Sequence, residues 1–337
     1  MGKVYCIGEA LIDFIPEQKG KALKDVDTFE KLPGGAPANV AIAVAKYGGR
    51  ASLITKLGQD AFGDFLIEIL KENNVEVDKI IQTTEANTGL AFVSVKEDGE
   101  RDFSFYRNPS ADMLLTEEEI KADWFTENDL LHFCSVDLIE CPMKYAHKKA
   151  ISYMKQKGAI VSFDPNIRLS LWKDPKECQA TVQEFLPFAH IIKVSDEELE
   201  FITGISDEKE AIRSLFVGDV KAVVYTKGAK GAELHLKDQM YRSSGFKVTV
   251  SDTTGAGDAF IGGLLYALVA NQVNLSNIEQ ILMEKHEDIL AFANASGALT
   301  ASVKGAIHAA PAKKHVLNFL STRLGESFEG RFVELMN

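Results

Sequence analysis

At 337 residues, with 46% hydrophobic and 26% charged, the chain is long enough to bury a large core and too apolar for disorder. A formal net charge of −12 argues against a surface that neutralises polyphosphate, so a small ligand is expected rather than nucleic acid or an anionic membrane. The four scattered cysteines, Cys6, Cys134, Cys141 and Cys178, fit neither a disulfide framework nor a Cys-x-x-Cys zinc site and read as reduced core thiols of a cytoplasmic protein.

The chain opens on Met1-Gly2-Lys3 and a strand-length apolar run, Val4–Ile7, without the apolar region of an export signal. Segment 14–33 follows without helical periodicity. A helix is predicted over 37–47, a strand at Ala51–Thr55 and a helix over 60–73. Alternating runs Leu90–Val95 and Arg101–Phe105, joined through Glu97-Asp98-Gly99-Glu100, predict a β-hairpin. Strands at Leu130–Cys134, Ala159–Phe163, Ile191–Val194 and Ala222–Thr226 then alternate with helices over 140–157, 176–186, 195–203 and 208–216. A strand at Ala232–Leu236 and helices over 256–270, 276–301 and 312–323 complete the order.

This alternation predicts an α/β fold with a mostly parallel central sheet covered by helices on both faces. Segments 14–33 and about 88–110 read as two insertions that together build a small β-sheet lid on one domain spanning 1–337. Repeats and low-complexity tracts are absent. The longest apolar run, Ala259–Ala270, falls well short of the ~20 residues of a membrane span, and the seven histidines form no His-Glu-x-x-His pattern.

Chemistry concentrates at Asp252-Thr253-Thr254-Gly255-Ala256-Gly257-Asp258. Two glycines around Ala256 let backbone N–H groups converge just where a helix begins, which suits an anion. A carboxylate at Asp258 beside an anion needs a reason, such as taking a proton from an attacking hydroxyl; the plainer alternative is a helix cap. In Pro33-Gly34-Gly35-Ala36-Pro37-Ala38-Asn39, adjacent glycines admit a polyhydroxyl ligand and Asn39 can donate and accept, although a tight turn explains the pattern equally.

Asp13, past the first strand, and Asn166 and Arg168, past Phe163-Asp164-Pro165, belong at the carboxyl edge where open α/β sheets bind ligands. Asp13 could as well be a solvated loop residue, and Arg168 could pair with Asp164. Arg107, after the lid hairpin, could be a ligand or a surface residue. The turn Thr226-Lys227-Gly228-Ala229-Lys230-Gly231 suits phosphates or ribose, or simply a hairpin that needs glycine. No Gly-x-x-x-x-Gly-Lys-Ser/Thr occurs, and no Gly-x-Gly-x-x-Gly follows the first strand, so neither a P-loop enzyme nor a nicotinamide dehydrogenase is expected.

Taken together, Gly34–Asn39 and Asp252–Asp258 resemble the two signatures of the PfkB (ribokinase-like) carbohydrate kinases, in the right order and over 200 residues apart. Phe105–Asp112, Phe163–Arg168 and Lys193–Phe201 look like the fructokinase branch, and the similarity runs from Val4 to Pro311. The resemblance implies a ribokinase-like, Rossmann-type three-layer core and transfer of the γ-phosphoryl group of ATP to the 6-hydroxyl of D-fructose. By the same resemblance Asp258 is the general base, and the amides of Gly255, Ala256 and Gly257 form the anion hole. Asp13, Gly34, Gly35, Asn39, Arg107 and Arg168 would hold the sugar. Lys193, Thr226, Gly228, Gly231 and Asn294, with Gly255 and Gly257, would lie along the nucleotide.

Mg²⁺ would arrive with ATP and be reached indirectly from Glu198, and K⁺ would sit near Asp252, Thr254, Ala301, Lys304 and Gly305. One departure stands out: Ser195 occupies the amide position of the family's Asn-x-x-Glu motif, while Glu198 keeps the carboxylate. The tail beyond Leu324 has no counterpart. Exposed lid strands could pair across a homodimer. Alternatives within the family are a 2-keto-3-deoxygluconate kinase and an aminoimidazole riboside or nucleoside kinase. A non-catalytic sugar-binding regulator would not need the proton acceptor at Asp258.

Overall fold

Fourteen strands among the described residues sort into two sheets, and their burial follows their sequence pattern. The computed structural model describes residues 2–18, 20–95, 101–305 and 309–325. In chain order the strands are β1 (Lys3–Ile7), β2 (Leu11–Pro16), β3 (Phe29–Gly34), β4 (Arg50–Gly58), β5 (Val75–Glu76), β6 (Ile80–Thr83) and β7 (Leu90–Val95). They continue with β8 (Arg101–Tyr106), β9 (Leu130–Cys134), β10 (Ile160–Asp164), β11 (Ile191–Ser195), β12 (Ala222–Thr226), β13 (Gly231–His235) and β14 (Met240–Ser244). The large sheet runs β14-β13-β12-β11-β10-β9-β1-β4-β5, with β6 also on β4. It is parallel from β12 through β4 and turns antiparallel only at β12-β13-β14.

The helices are α1 (Ala36–Lys46), α2 (Ala61–Glu72), α3 (Pro142–Gln156), α4 (Pro175–Phe185), α5 (Asp196–Thr203), α6 (Glu208–Ser214), α7 (Ala256–Ala270), α8 (Ile278–Ala301) and α9 (Lys313–Leu324). A strand points successive side chains to opposite faces, so each core strand serves two layers. Val4 and Cys6 pack with α1, α2, α7 and α8. Tyr5 and Ile7 pack with α3 to α6 on the other face. Leu130, Ile191 and Val224 join the first layer, while Leu131, Phe133, Ile192 and Tyr225 join the second. The continuous apolar runs of these strands are what burial on both faces requires.

Helix α7 is buried almost all round between α1 and α8. A Cβ at Gly262 would lie 2.7 Å from Ala43 Cβ, and one at Gly263 would lie 2.9 Å from Ser296 Oγ. Its apolar run therefore serves close helix packing, and no helix among the described residues is long and apolar enough to cross a membrane.

The second sheet, β3-β2-β7-β8, is built from the two insertions. The predicted hairpin is present, pairing Leu90 with Tyr106 and Phe92 with Ser104. Its turn, Glu97 to Glu100, lies outside the described residues, as do 306–308 and the tail from 326. Strand β2 starts at Leu11, three residues before the predicted insertion, so Asp13 belongs to the lid sheet rather than to a loop. Phe14 and Phe92 stack on one face of that sheet with ring centroids 4.8 Å apart, and Phe62 of α2 meets Phe14 edge-on. This aromatic contact seats the small sheet beside α2.

Candidate active site

A cleft of about 740 Å³ opens at the carboxyl ends of the core strands, beneath the small sheet. Asp13 and Phe105 line it from the lid, Asn166, Arg168 and Lys193 from the sheet edge, and Gly255, Gly257 and Asp258 from the start of α7. Gly255 caps that helix at φ 75°, a left-handed conformation that suits glycine. Three residues on, Asp258 accepts from Asn39 Nδ2 at 2.8 Å through Oδ2 and from Asn166 Nδ2 at 3.4 Å through Oδ1. Burial raises the Asp258 carboxyl above the ordinary range, against the Asn39 bond and the charges of Arg168 and Lys193, which pull it down. A carboxylate held by two amides with raised proton affinity is suited to take a proton.

Lys193 Nζ lies 3.0 Å from Asp164 and 3.7 Å from where a Cβ on Gly257 would stand. Burial alone would lower the Lys193 pKa, but the carboxylates of Asp164, Glu198 and Asp258 raise it, so the ammonium stays charged. A fixed cation beside a helix N-terminus is an arrangement suited to an anion. Of the three expected amide donors, Gly255 and Gly257 line the cleft, whereas Ala256 donates its N–H to the Thr253 carbonyl at 3.2 Å. The turn that brings the chain into α7 uses that amide.

Asp13 and Gly34 fit each other: a Cβ on Gly34 would lie 2.2 Å from Asp13 Oδ2. Gly35, at φ 104°, brings its backbone against Glu9, where a Cβ would meet the Glu9 carbonyl oxygen at 2.4 Å. Arg168 is exposed on the cleft and does not pair with Asp164, whose partner is Lys193. Arg107, expected at the sugar, is instead buried and does not line the cleft; it pairs with Asp112 and Asp137. Glu9, a polar residue with no predicted role, also lines the cleft, and Asn166 lies in it as its place at the carboxyl edge led one to expect. Asn166, at φ 46°, was legible as a donor at the carboxyl edge, but its partner Asp258 is 92 positions away.

The family pattern described as pfkB family carbohydrate kinase matches residues 1–313. The chain belongs to the pfkB family. It is 45% identical over 315 residues to probable fructokinase-6, chloroplastic, of Arabidopsis thaliana, covering 93% of this chain and 81% of that protein. A crystal structure of fructokinase with bound ATP from Xylella fastidiosa superposes with a TM-score of 0.88 at 34% identity, covering 96% of this chain and 99% of the other. A double-mutant fructokinase from Vibrio cholerae in fructose, ADP and potassium ion bound form superposes at 0.83 with 37% identity, covering 95% and 98%. The fold is thus the ribokinase-like α/β fold of pfkB kinases.

At the positions expected to lie along a nucleotide, the turn after β12 is a hairpin. Gly228 sits at φ 51°, and Gly231 at φ 100° runs so close to β14 that a Cβ would lie 2.1 Å from the Ser243 carbonyl oxygen. Thr226 Oγ1 donates to the Val194 carbonyl at 3.4 Å, and Asn294 Nδ2 donates to Ser243 Oγ at 3.0 Å, tying α8 to β14. None of Thr226, Gly228, Gly231 and Asn294 lines the cleft itself.

Glu198 accepts from the Ser195 amide and hydroxyl and, through its other oxygen, from the Ile167 amide. Burial would raise its pKa, but Lys193 and these donors lower it. It caps α5 and ties down the loop that carries Asn166 and Arg168, and its occupied oxygens fit an indirect relation to magnesium better than direct ligation. Around the expected potassium position, Asp252 accepts from Thr254 N and Oγ1 at 2.9 and 2.8 Å and from Gly305 N at 3.1 Å. The Ala301 carbonyl accepts from Ser251 and Asp252. Lys304 departs from this group and reaches Glu30 of the lid at 2.7 Å. Among the described residues no cluster of three or more His, Cys, Asp or Glu side chains could hold a metal.

Proposed function

We propose that the protein is a fructokinase, transferring the γ-phosphoryl group of ATP to the 6-hydroxyl of D-fructose to give fructose 6-phosphate and ADP. The observation that carries this reading is Asp258, held between Asn39 and Asn166 at the mouth of the anion site formed by α7 and Lys193. The fructokinase names and bound ligands of the relatives supply the substrate pair.

In this reaction Asp258 takes the hydroxyl proton while the sugar oxygen bonds to the γ-phosphorus, and the bond to the bridging oxygen of ADP breaks. Amides of Gly255 and Gly257 and the Lys193 ammonium meet the charge on the moving group. Asp13, Asn39 and Arg168 hold the sugar, Gly34 and Gly35 let the backbone come close, and Thr226 marks the nucleotide edge. Mg²⁺ carried with ATP would offset charge on the phosphates, with Glu198 acting through the loop it ties. K⁺ would lie by Asp252 and the Ala301–Gly305 loop. The small sheet serves as lid of one catalytic unit and limits wasteful hydrolysis by excluding water. Its exposed Tyr106 edge suits a homodimer, and four buried free thiols suit the reducing cytoplasm.

ADP release measured over a sugar panel tests the reading. The highest kcat/KM is expected for fructose, because a mismatched hydroxyl leaves a buried partner unpaired. A higher value for 2-keto-3-deoxygluconate or a riboside would reassign the substrate, and binding without turnover would make the protein a sugar-responsive regulator.

A further inference from the structure

The lid joins the core by four chain crossings, and all four meet at one buried charge cluster that the reaction above does not use. Glu9 lies on the first, between β1 and β2, and its Oε1 accepts from the Ala36 amide at 2.9 Å, just past the second. The third contributes Gly89, whose added Cβ would lie 3.4 Å from Arg107 Cγ and Ser110 Cβ, and Asn87, whose carbonyl accepts from Ala111 at 2.8 Å. The fourth carries Arg107 and Ser110 out of β8. Arg107 Nη2 bonds both Asp112 and Asp137, its Nε reaches Ser110 Oγ at 3.3 Å, and its charge acts on Glu9. Asp137 stands just past core strand β9. Arg107 Nη1, Glu9 Oε2 and Asp137 Oδ2 are buried without a bonded partner, one donor among two acceptors.

We propose that Arg107 is a positioning residue for the sugar end of the site: by gathering Glu9, Asp112 and Asp137 it fixes the four crossings. Through Glu9 it sets β2, which carries Asp13, against α1, which carries Asn39. The path to the reacting end is short, because Glu9 holds the first amide of α1 and Asn39 in the same turn holds Asp258. Burial, and then the Asp137 charge, push the Glu9 carboxyl up against the pull of Arg107, and burial pushes Asp137 up to about 7. The Arg107 guanidinium thus opposes the effect of burial at both Glu9 and Asp137.

The inference rests on the fructokinase reading for its kinetic test. Arg107→Gln, and the charge-balanced double variant Arg107→Gln with Asp137→Asn, are compared with the wild type. The expected result is a fructose KM raised by about tenfold, an ATP KM within about twofold, and kcat reduced by less than the fructose KM rises. Arg107→Lys should recover part of the fructose KM. Independently of any substrate, hydrogen exchange should quicken at amides of 11–16 and 90–94 while those of 160–164 keep their protection.

An unchanged fructose KM in a folded variant, an equal rise in both KM values, or unchanged lid exchange would overturn the proposal. If only the double variant or the lysine variant folds, the same readings on it decide. A wild type without turnover on fructose would sink the activity reading alone, and the exchange result would still decide the role of Arg107.

Discussion

Asp258 is asked to be a base, and its surroundings state how strong a base. Asp258→Asn keeps the size and the Asn39 contact while removing the proton acceptor; kcat should fall by about 10²–10⁴ with sugar affinity largely kept, as steady-state kinetics and sugar titration would show. Because burial holds the Asp258 pKa above the ordinary carboxylate value, the acid limb of kcat/KM should lie above the pH range in which an exposed aspartate titrates. Activity is lost as pH falls through that pKa. Arg168 lowers it, so Arg168→Gln should move the limb to higher pH, and a limb that stays in place would separate Arg168 from the base. Gly34→Ala should raise the fructose KM, since its Cβ meets the Asp13 carboxylate. These residue types were legible one by one. The Asn39–Asp258 bond spans 219 positions, and no local pattern contains it.

Elements carry these residues, and their positions follow from caps and contacts. Helix α7 follows a left-handed glycine turn at the cleft and packs closely against α1 at Gly262. Gly262→Ala gains about 1 kcal/mol in helix propensity but overpacks a contact that costs about 1–3 kcal/mol. A net loss of stability is therefore expected in urea unfolding, with activity reduced only as far as α7 moves. Strand–helix alternation was readable for almost every core element, because strands buried on both faces have unbroken apolar runs. The start of β2 was not, since Leu11-Ile12-Asp13 resembles a loop after β1 until it pairs with Gly34-Pro33-Leu32 of β3 and with β7. The short strand β14 was also missed; its alternate side chains are exposed, and only pairing with β13 defines it.

On the scale of the molecule, two helical layers hold the sheet rigid while the cleft lies between its edge and the lid. Ligand bound only by the folded form adds stability, and fructose at 100 times its Kd should contribute about 2.7 kcal/mol, visible as a rise in Tm that Asp13→Asn diminishes. The sequence by itself determined the layer order and the glycine turn before α7, and it placed the candidate site at the carboxyl edge, because each is written in periodicity or in neighbouring residues. Only the tertiary structure decided that Arg107 is buried against Asp112 and Asp137 away from the cleft, that Ala256 uses its amide in the turn, and that Lys304 reaches Glu30. Charge and hydrogen-bond partners are chosen by burial and by proximity across long stretches of chain, and neither quantity exists until the chain has folded.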